Sequence, residues 1–273
     1  MATEQWSIDE LICTCIARQV DDGDILAQGI ATPLVAAGYF LAWHAYASDV
    51  WFASAIGQTI CRTAAPLGLA HVEALWLDQA MVSVGFVQAA ADLLPRVRPK
   101  EFFRPGQVDQ AGNFNNIAFG KDIAHPRMRM PGTGGIPDVT VFMDNIYLYV
   151  PRHSRVTFVS ELDYLSGLGH KSTRRRGAGP KYLISDLGAF DFKNGRMRLL
   201  SVHPGINIER VKAKTGFEID IEEPINTTEP PTPDDLKLLR ETIDPLGIRK
   251  LEFMSGHNRR AALRKILQKE TAQ

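Results

Sequence analysis

Apolar residues along the first third of the chain alternate between two periods. Leu11, Ile12, Cys15, Ile16 and Val20 recur at helical spacing behind Ser7-Ile8-Asp9-Glu10, whose serine and glutamate stand at capping-box distance, so the pattern predicts a helix from Ser7 to Gln19. Asp21-Asp22-Gly23 stops it. Residues 24–29 then read as a short buried strand, Thr32-Pro33 as a side-chain cap followed by proline at the first helical position, and the next helix runs to about Ala47. Val50–Ser54 is a second strand, ending in the small residues Ser54-Ala55-Ile56-Gly57, a strand end of the kind at which open α/β sheets present their chemistry.

The same alternation continues. His71–Leu94 is apolar and reads as helix over its second half, and residues 101–104 as a strand. Gln107–Asn116 has the polar, glycine-bearing composition of a turn. Asn145–Val150 is a buried strand, and Val156–Val159 and Leu162–Leu165 are short apolar runs. Tyr182–Ser185, Gly188–Phe192 and Arg196–Val202 are strands, the last two joined by Asn194-Gly195, a strong hairpin signal. Ile208–Lys214 is a short helix, Glu222–Pro233 an acidic, proline-rich connection, and Thr232-Pro233-Asp234-Asp235 caps a helix through Thr242. Helices alternating with strands predict an α/β fold: an open, mostly parallel sheet with helices on both faces, a single domain over 1–245 with a small antiparallel extension, and a basic helix or tail over 246–273.

Pro131-Gly132-Thr133-Gly134-Gly135-Ile136-Pro137-Asp138 is the stretch with the clearest chemical promise. Three glycines in four residues let a ligand approach bare backbone, and Pro137-Asp138 reads as the first turn of a helix, where unpaired N–H groups suit an anion or a developing oxyanion. A plain connecting turn is the alternative reading. His125, Arg127 and Arg129 precede the loop and either accompany it in holding an anion or form a solvated basic segment. Arg174-Arg175-Arg176 lies between glycines and reads as solvated surface before phosphate site.

Composition narrows the classes. The 273 residues carry 31 basic and 31 acidic side chains and are 45% apolar, enough for a sizeable core and without the basic excess of a nucleic-acid binder. No apolar run has the length to cross a bilayer, and the N-terminus has no basic region followed by an apolar core, so neither nucleic acid nor membrane is an expected partner and the cytoplasm is the expected compartment. Cys13, Cys15 and Cys61 are expected to be reduced and structural, and no metal site is read.

As an ordered set, Gln107-Val108-Asp109 with Gly112-Asn113 and Asn115, the Gly132–Gly135 loop, Phe158-Val159, Gly177–Pro180, Ser185–Phe192, His203-Pro204-Gly205 and Ile243-Asp244-Pro245 resemble the β-type subunits of family I CoA-transferases, the glutaconate CoA-transferase group in particular. The resemblance covers about Asp21 to Pro245. It implies a partner α-type subunit of related fold, in an α2β2 assembly, and an acyl-CoA substrate, with coenzyme A as part of the substrate and no bound cofactor. It also implies that Gly132, Thr133, Gly134 and Gly135, with Gln107 and Asn115, form the oxyanion and CoA-binding region, and that Ser54, Ala55 and Gly57 line the catalytic turn.

At that turn the family carries a glutamate that attacks the thioester, and here the position is Ala55. Alanine forms no covalent intermediate, and losing a nucleophile costs about four to six powers of ten in rate. Ser54 has no base visible in the sequence. Two kinds of relative also lack this glutamate. One resembles a 3-methylglutaconyl-CoA decarboxylase, to which Arg18–Gly23 and Val150–Ser154 are similar, and the other a two-subunit hydrolase that opens a steroid ring as its CoA thioester. The resemblance therefore implies carbon-carbon bond cleavage, by hydrolysis or decarboxylation, with transfer through a nucleophile supplied elsewhere, or a non-catalytic scaffold, as the alternatives. A family acid on the Phe158-Val159 strand is replaced by Ser160, with Glu161 one residue on.

Overall fold

The fold was described from a computed structural model, which covers residues 6–29, 32–54, 58–70, 76–171 and 174–272. The chain forms two compact units, one of residues 1–86 with 230–273 and the other of residues 87–229.

In the first unit α1 (Ile8–Ala17) starts at Ser7, and the predicted capping box forms: the Glu10 carboxylate accepts from Ser7 N and Oγ, both at 2.9 Å. Strand β1 (Ile25–Gln28), helix α2 (Pro33–Ala45) and strand β2 (Trp51–Ser54) follow. α1 and α2 approach closely because Gly38 has no side chain; a Cβ there would stand 2.6 Å from Ile16 Cγ2. β1 and β2 are parallel, and β3 (Thr59–Cys61) and β4 (Val82–Ser83) add on antiparallel. Neither short strand is legible in the sequence, and the start of the apolar stretch from His71, residues 71–75, lies outside the described residues.

The second unit opens with a helical stretch, Phe86–Gln88, Ala89–Leu93 in π form and Leu94–Val97, which Arg98 ends in a left-handed conformation. Its sheet comprises β5 (Lys100–Phe103), β10 (Ile146–Val150), β11 (Tyr182–Ser185), β12 (Gly188–Lys193), β13 (Arg196–Val202) and β14 (Asp220–Thr227) in that order, parallel across β5, β10 and β11, antiparallel through β12 and β13, and parallel again at β14. This is the open α/β architecture with an antiparallel extension that the alternation predicts. Asn194 and Gly195, at φ 54° and 74°, make the expected hairpin turn. Two small ribbons, β6 (Gln107–Val108) with β7 (Phe114–Asn115) and β8 (Ala118–Phe119) with β9 (Met128–Arg129), precede α3 (Ile136–Phe142), and α4 (Ile208–Lys214) precedes β14. All five residues of β10 are buried, and Leu148, Leu183, Phe190 and Leu199 carry the core across neighbouring strands.

Two expectations change here. The Phe158-Val159 run is a single bridge to Val108, with Phe158 sunk into the core, and the first half of the acidic, proline-rich connection from Glu222 belongs to the edge strand β14.

The chain then returns to the first unit. Thr232 caps α5 (Pro233–Lys237) with a capping box to Asp235, the 3-10 stretch Ile248–Phe253 follows, and α6 (Gly256–Glu270) is the basic helix. Arg249, 1% exposed, ties this return to α1 through ion pairs to Asp9 at 2.8 Å, Glu10 at 3.0 Å and Asp244 at 2.9 Å. Among the described residues no helix is long and apolar enough to cross a membrane.

Candidate functional site

In the second unit the glycine loop runs into α3, with Gly135 at its N-cap and Pro137 in its first turn. Gly132 and Gly134 take φ of 100° and 49°, a region that favours glycine, and a Cβ at Gly132, Gly134 or Gly135 would meet nothing within 4 Å. The loop is fixed at its ends: Gly132 N donates to Asn116 O at 3.0 Å and Ile136 N to Thr133 O at 3.0 Å. Among the described residues, the Thr133, Gly134 and Gly135 N–H groups have no hydrogen-bond acceptor. The arrangement leaves backbone donors without protein acceptors on a loop with room beside it, which suits an oxyanion.

Gln107 and Asn115 belong to the segment that anchors the loop. Both are buried, and Asn115 Nδ2 donates to Gln107 Oε1 at 2.7 Å and to Ala118 O at 2.8 Å, while Asn115 Oδ1 accepts from Ile117 N at 2.9 Å. Gln107 Oε1 also accepts from Asp163 N at 3.0 Å, and Gln107 Nε2 donates to Asp163 Oδ2 at 3.2 Å. That carboxylate oxygen accepts from Gly120 N at 2.8 Å as well. The side-chain polar atoms of both residues are thus held by protein partners. Asp163, which the sequence reading passed over, is central to the network, whereas Glu161 is exposed beside Lys121 and Ser160 is exposed. An acid three residues beyond the family position was the available signal.

The basic residues divide. His125 is exposed and contacts Asp122 at 3.1 Å, Arg127 lies over the Phe119 ring, and Arg129 donates to Ile123 O. Arg174 is not solvated surface: its guanidinium donates to Thr140 O, in the last turn of α3, and to Ala178 O at 2.7 Å. Burial lowers its pKa. Arg175 and Arg176 are exposed.

Two histidines are enclosed at the C-terminal ends of the strands. His153 stacks on Phe158 at 3.6 Å, and its ring nitrogens contact Ser185 Oγ at 3.1 Å and Thr215 Oγ1 at 3.0 Å. Thr215 donates its proton to Val211 O at 2.8 Å, so it accepts from His153 Nε2–H and leaves Nδ1 to accept from Ser185. His203 Nε2 donates to Ser185 O at 2.8 Å and its Nδ1 accepts from Thr228 Oγ1 at 3.0 Å. Burial pushes these rings down to about 3 and about 4, so both are neutral. His44 is exposed.

In the first unit Ser54 ends β2, buried, opposite Gln28 on β1 and Thr59 on β3. Ala55 and Gly57 lie outside the described residues.

No family model matches the chain. It is similar to a glutaconate CoA-transferase subunit of Acidaminococcus fermentans, 29% identical over 253 residues, which cover 86% of this chain and 92% of the relative. It is also similar to the cholesterol ring-cleaving hydrolase IpdB subunit of Mycobacterium tuberculosis, 34% identical over 156 residues, 55% of this chain and 62% of that relative. Among solved structures, that of the decarboxylase AibA/AibB superposes with a TM-score of 0.78 at 28% identity, covering 90% of this chain and 98% of that one. Over most of its length the chain is thus similar in sequence and fold to β-type subunits of the family I CoA-transferase group.

Proposed function

We propose that this chain is the β-type half of a heteromeric enzyme, paired with an α-type subunit as α2β2, that breaks a carbon-carbon bond in an acyl-CoA by hydrolysis or decarboxylation. The observation that carries the reading is Ala55, where transferases of the family hold their nucleophilic glutamate. Transfer needs a carboxylate there to take CoA from the acyl group. The two cleavage routes do not. In hydrolysis water adds to a carbonyl carbon, the bond to the neighbouring carbon breaks, and the electron pair passes into the thioester as an enolate; in decarboxylation the departing CO2 leaves the same pair. Either enolate is then protonated.

Both routes therefore need donors for a thioester oxygen that gains charge. The Gly134 and Gly135 N–H groups are suited to this, and preorganised donors of that kind are worth about 3 to 4 kcal/mol each in a transition state. Gln107, Asn115 and Asp163 act as positioning residues that hold the loop. Ser54, Ala55 and Gly57 leave room for a bulkier acyl group than a glutamate would. The α-type partner supplies the acid or base. Coenzyme A enters as part of the substrate, no other cofactor is required, and the cytoplasm is the expected compartment.

The test is intact-protein mass spectrometry of the complex after mixing with a panel of acyl-CoA esters, while CoA, CO2 and acyl products are followed. Turnover without a covalent adduct is expected. A borohydride-sensitive CoA adduct on either chain would sink this reading in favour of transfer, the activity named for the glutaconate relative.

A further inference from the structure

The C-terminal end of β1 holds two buried polar atoms that nothing in the described chain satisfies. Gln28 is 8% exposed and stands opposite Ser54 in the parallel β1–β2 ladder, at the strand end that leads to Ala55. Its Nε2 points to Thr32 O at 3.5 Å, which fixes the amide orientation, because the flipped amide would set carbonyl against carbonyl. Gln28 Oε1 is then buried without a partner, and so is Thr32 Oγ1. Thr32 is the N-cap of the thirteen-residue α2, yet its hydroxyl makes no cap bond. The Glu252 carboxylate takes the Leu34 N–H instead, at 2.9 Å.

Unpaired buried polar atoms are rare and costly, and a pair of them four residues apart at a strand end calls for a ligand. Glu252 already supplies the negative charge that this helix N-terminus favours, so a second anion is disfavoured. An amide oxygen accepts only, and a threonine hydroxyl both donates and accepts. The complementary group is a neutral O–H.

We propose that Gln28 and Thr32 bind a hydroxyl on the acyl part of the substrate, which makes Gln28 a specificity-determining residue for the reaction proposed above. The inference rests on that reading for the identity of the substrate, and on the two unpaired oxygens for the hydroxyl.

The experiment uses the complete two-subunit enzyme and a series of hydroxyacyl-CoA esters with their deoxy counterparts. Turnover and calorimetric binding are measured side by side for the wild type, Gln28→Met and Thr32→Val. The wild type should favour one hydroxylated ester over its deoxy partner, and Gln28→Met should cut that preference by about tenfold to a hundredfold, the scale of one buried hydrogen bond. Thr32→Val should cut it in the same direction and keeps the test open if the glutamine variant folds poorly. Equal binding of both esters by the wild type would overturn the inference. So would equal losses on both esters in Gln28→Met, since that pattern means the amide holds a water. Absence of turnover with every ester overturns the parent reading alone, because the binding preference still decides this one.

Discussion

Two parallel strand pairs end in buried polar side chains, and the two ends are in opposite states. Past β10 and β11, His153, Ser185, Thr215, His203 and Thr228 pair with one another or with backbone, and His153 lies flat on Phe158. Past β1 and β2, Gln28 Oε1 and Thr32 Oγ1 have no partner among the described residues. A closed polar cluster repays its desolvation inside the protein and acts as a fastening. An open one carries an unrepaid cost that ligand binding can remove. On this argument the histidines, which by residue type look most like catalysts, are structural, and a glutamine is the group poised for substrate.

The comparison breaks first if opening a closed cluster proves cheap. Arg249→Met strands the Asp9, Glu10 and Asp244 carboxylates in the first unit, and removing one partner from a buried ion cluster costs about 3 to 5 kcal/mol. Glu10, held at about 2 chiefly by Arg240 and Ser7 against the opposing effect of burial, keeps some compensation. The urea midpoint measures the loss, and an unchanged midpoint would remove this cluster from the closed class. Asn115→Leu comes next. It unpairs Ile117 N and Ala118 O and takes one of two donors from Gln107, a loss of about 2 to 3 kcal/mol that should appear in thermal unfolding, together with lower activity because the loop anchor loosens.

Which of these features a reader of the sequence can find depends on how far apart their partners lie. The Ser7–Glu10 and Thr232–Asp235 boxes and the Asn194-Gly195 turn are local, and each forms as the spacing predicts. The glycine loop is legible as a motif for the same reason. β14 is hidden because its acids and Pro224 read as a connection; among the described residues it pairs only with β13, where Arg196 meets Asp220 and Arg198 meets Glu222. Phe158 looks like strand but is drawn into the core beside His153. The open end is least legible of all. Thr32 carries every sign of a cap, and its hydroxyl is left unpaired while Glu252, 218 residues beyond Leu34, takes the α2 N-terminus.

A third measure is acid. His153 and His203 are held neutral at about 3 and about 4, below the ordinary 6.5, so between those values the unfolded chain binds more protons than the folded one. Stability is complete above pH 6.5 and falls as pH drops through the window, by about 1.4 kcal/mol per pH unit for each ring. Denaturation midpoints from pH 7 to pH 4 should trace that slope, and His153→Gln should flatten it. Gly134→Ala is smaller again. A Cβ there meets nothing, so only the positive φ is penalised, by about 1 kcal/mol, while Gly134→Val should abolish activity if the loop is catalytic and leave it largely intact if the chain is a scaffold.

The smallest effect on stability is the sharpest test of the contrast. Gln28→Met keeps nearly the same volume, exchanges an unmet carbonyl oxygen for a thioether, and gives up one long hydrogen bond to Thr32 O. If the β1 end is open, the unliganded complex should change by less than about 0.5 kcal/mol, and a small gain is the more consistent sign, since a buried oxygen without a partner is removed. If that end is closed by an ordered water, the substitution breaks a satisfied site and should cost about 1 to 3 kcal/mol, as the closed clusters do. Substrate then separates the two states further: a hydroxylated ester should raise the wild-type midpoint more than the variant's, because only the wild type gains partners for its unpaired oxygen on binding.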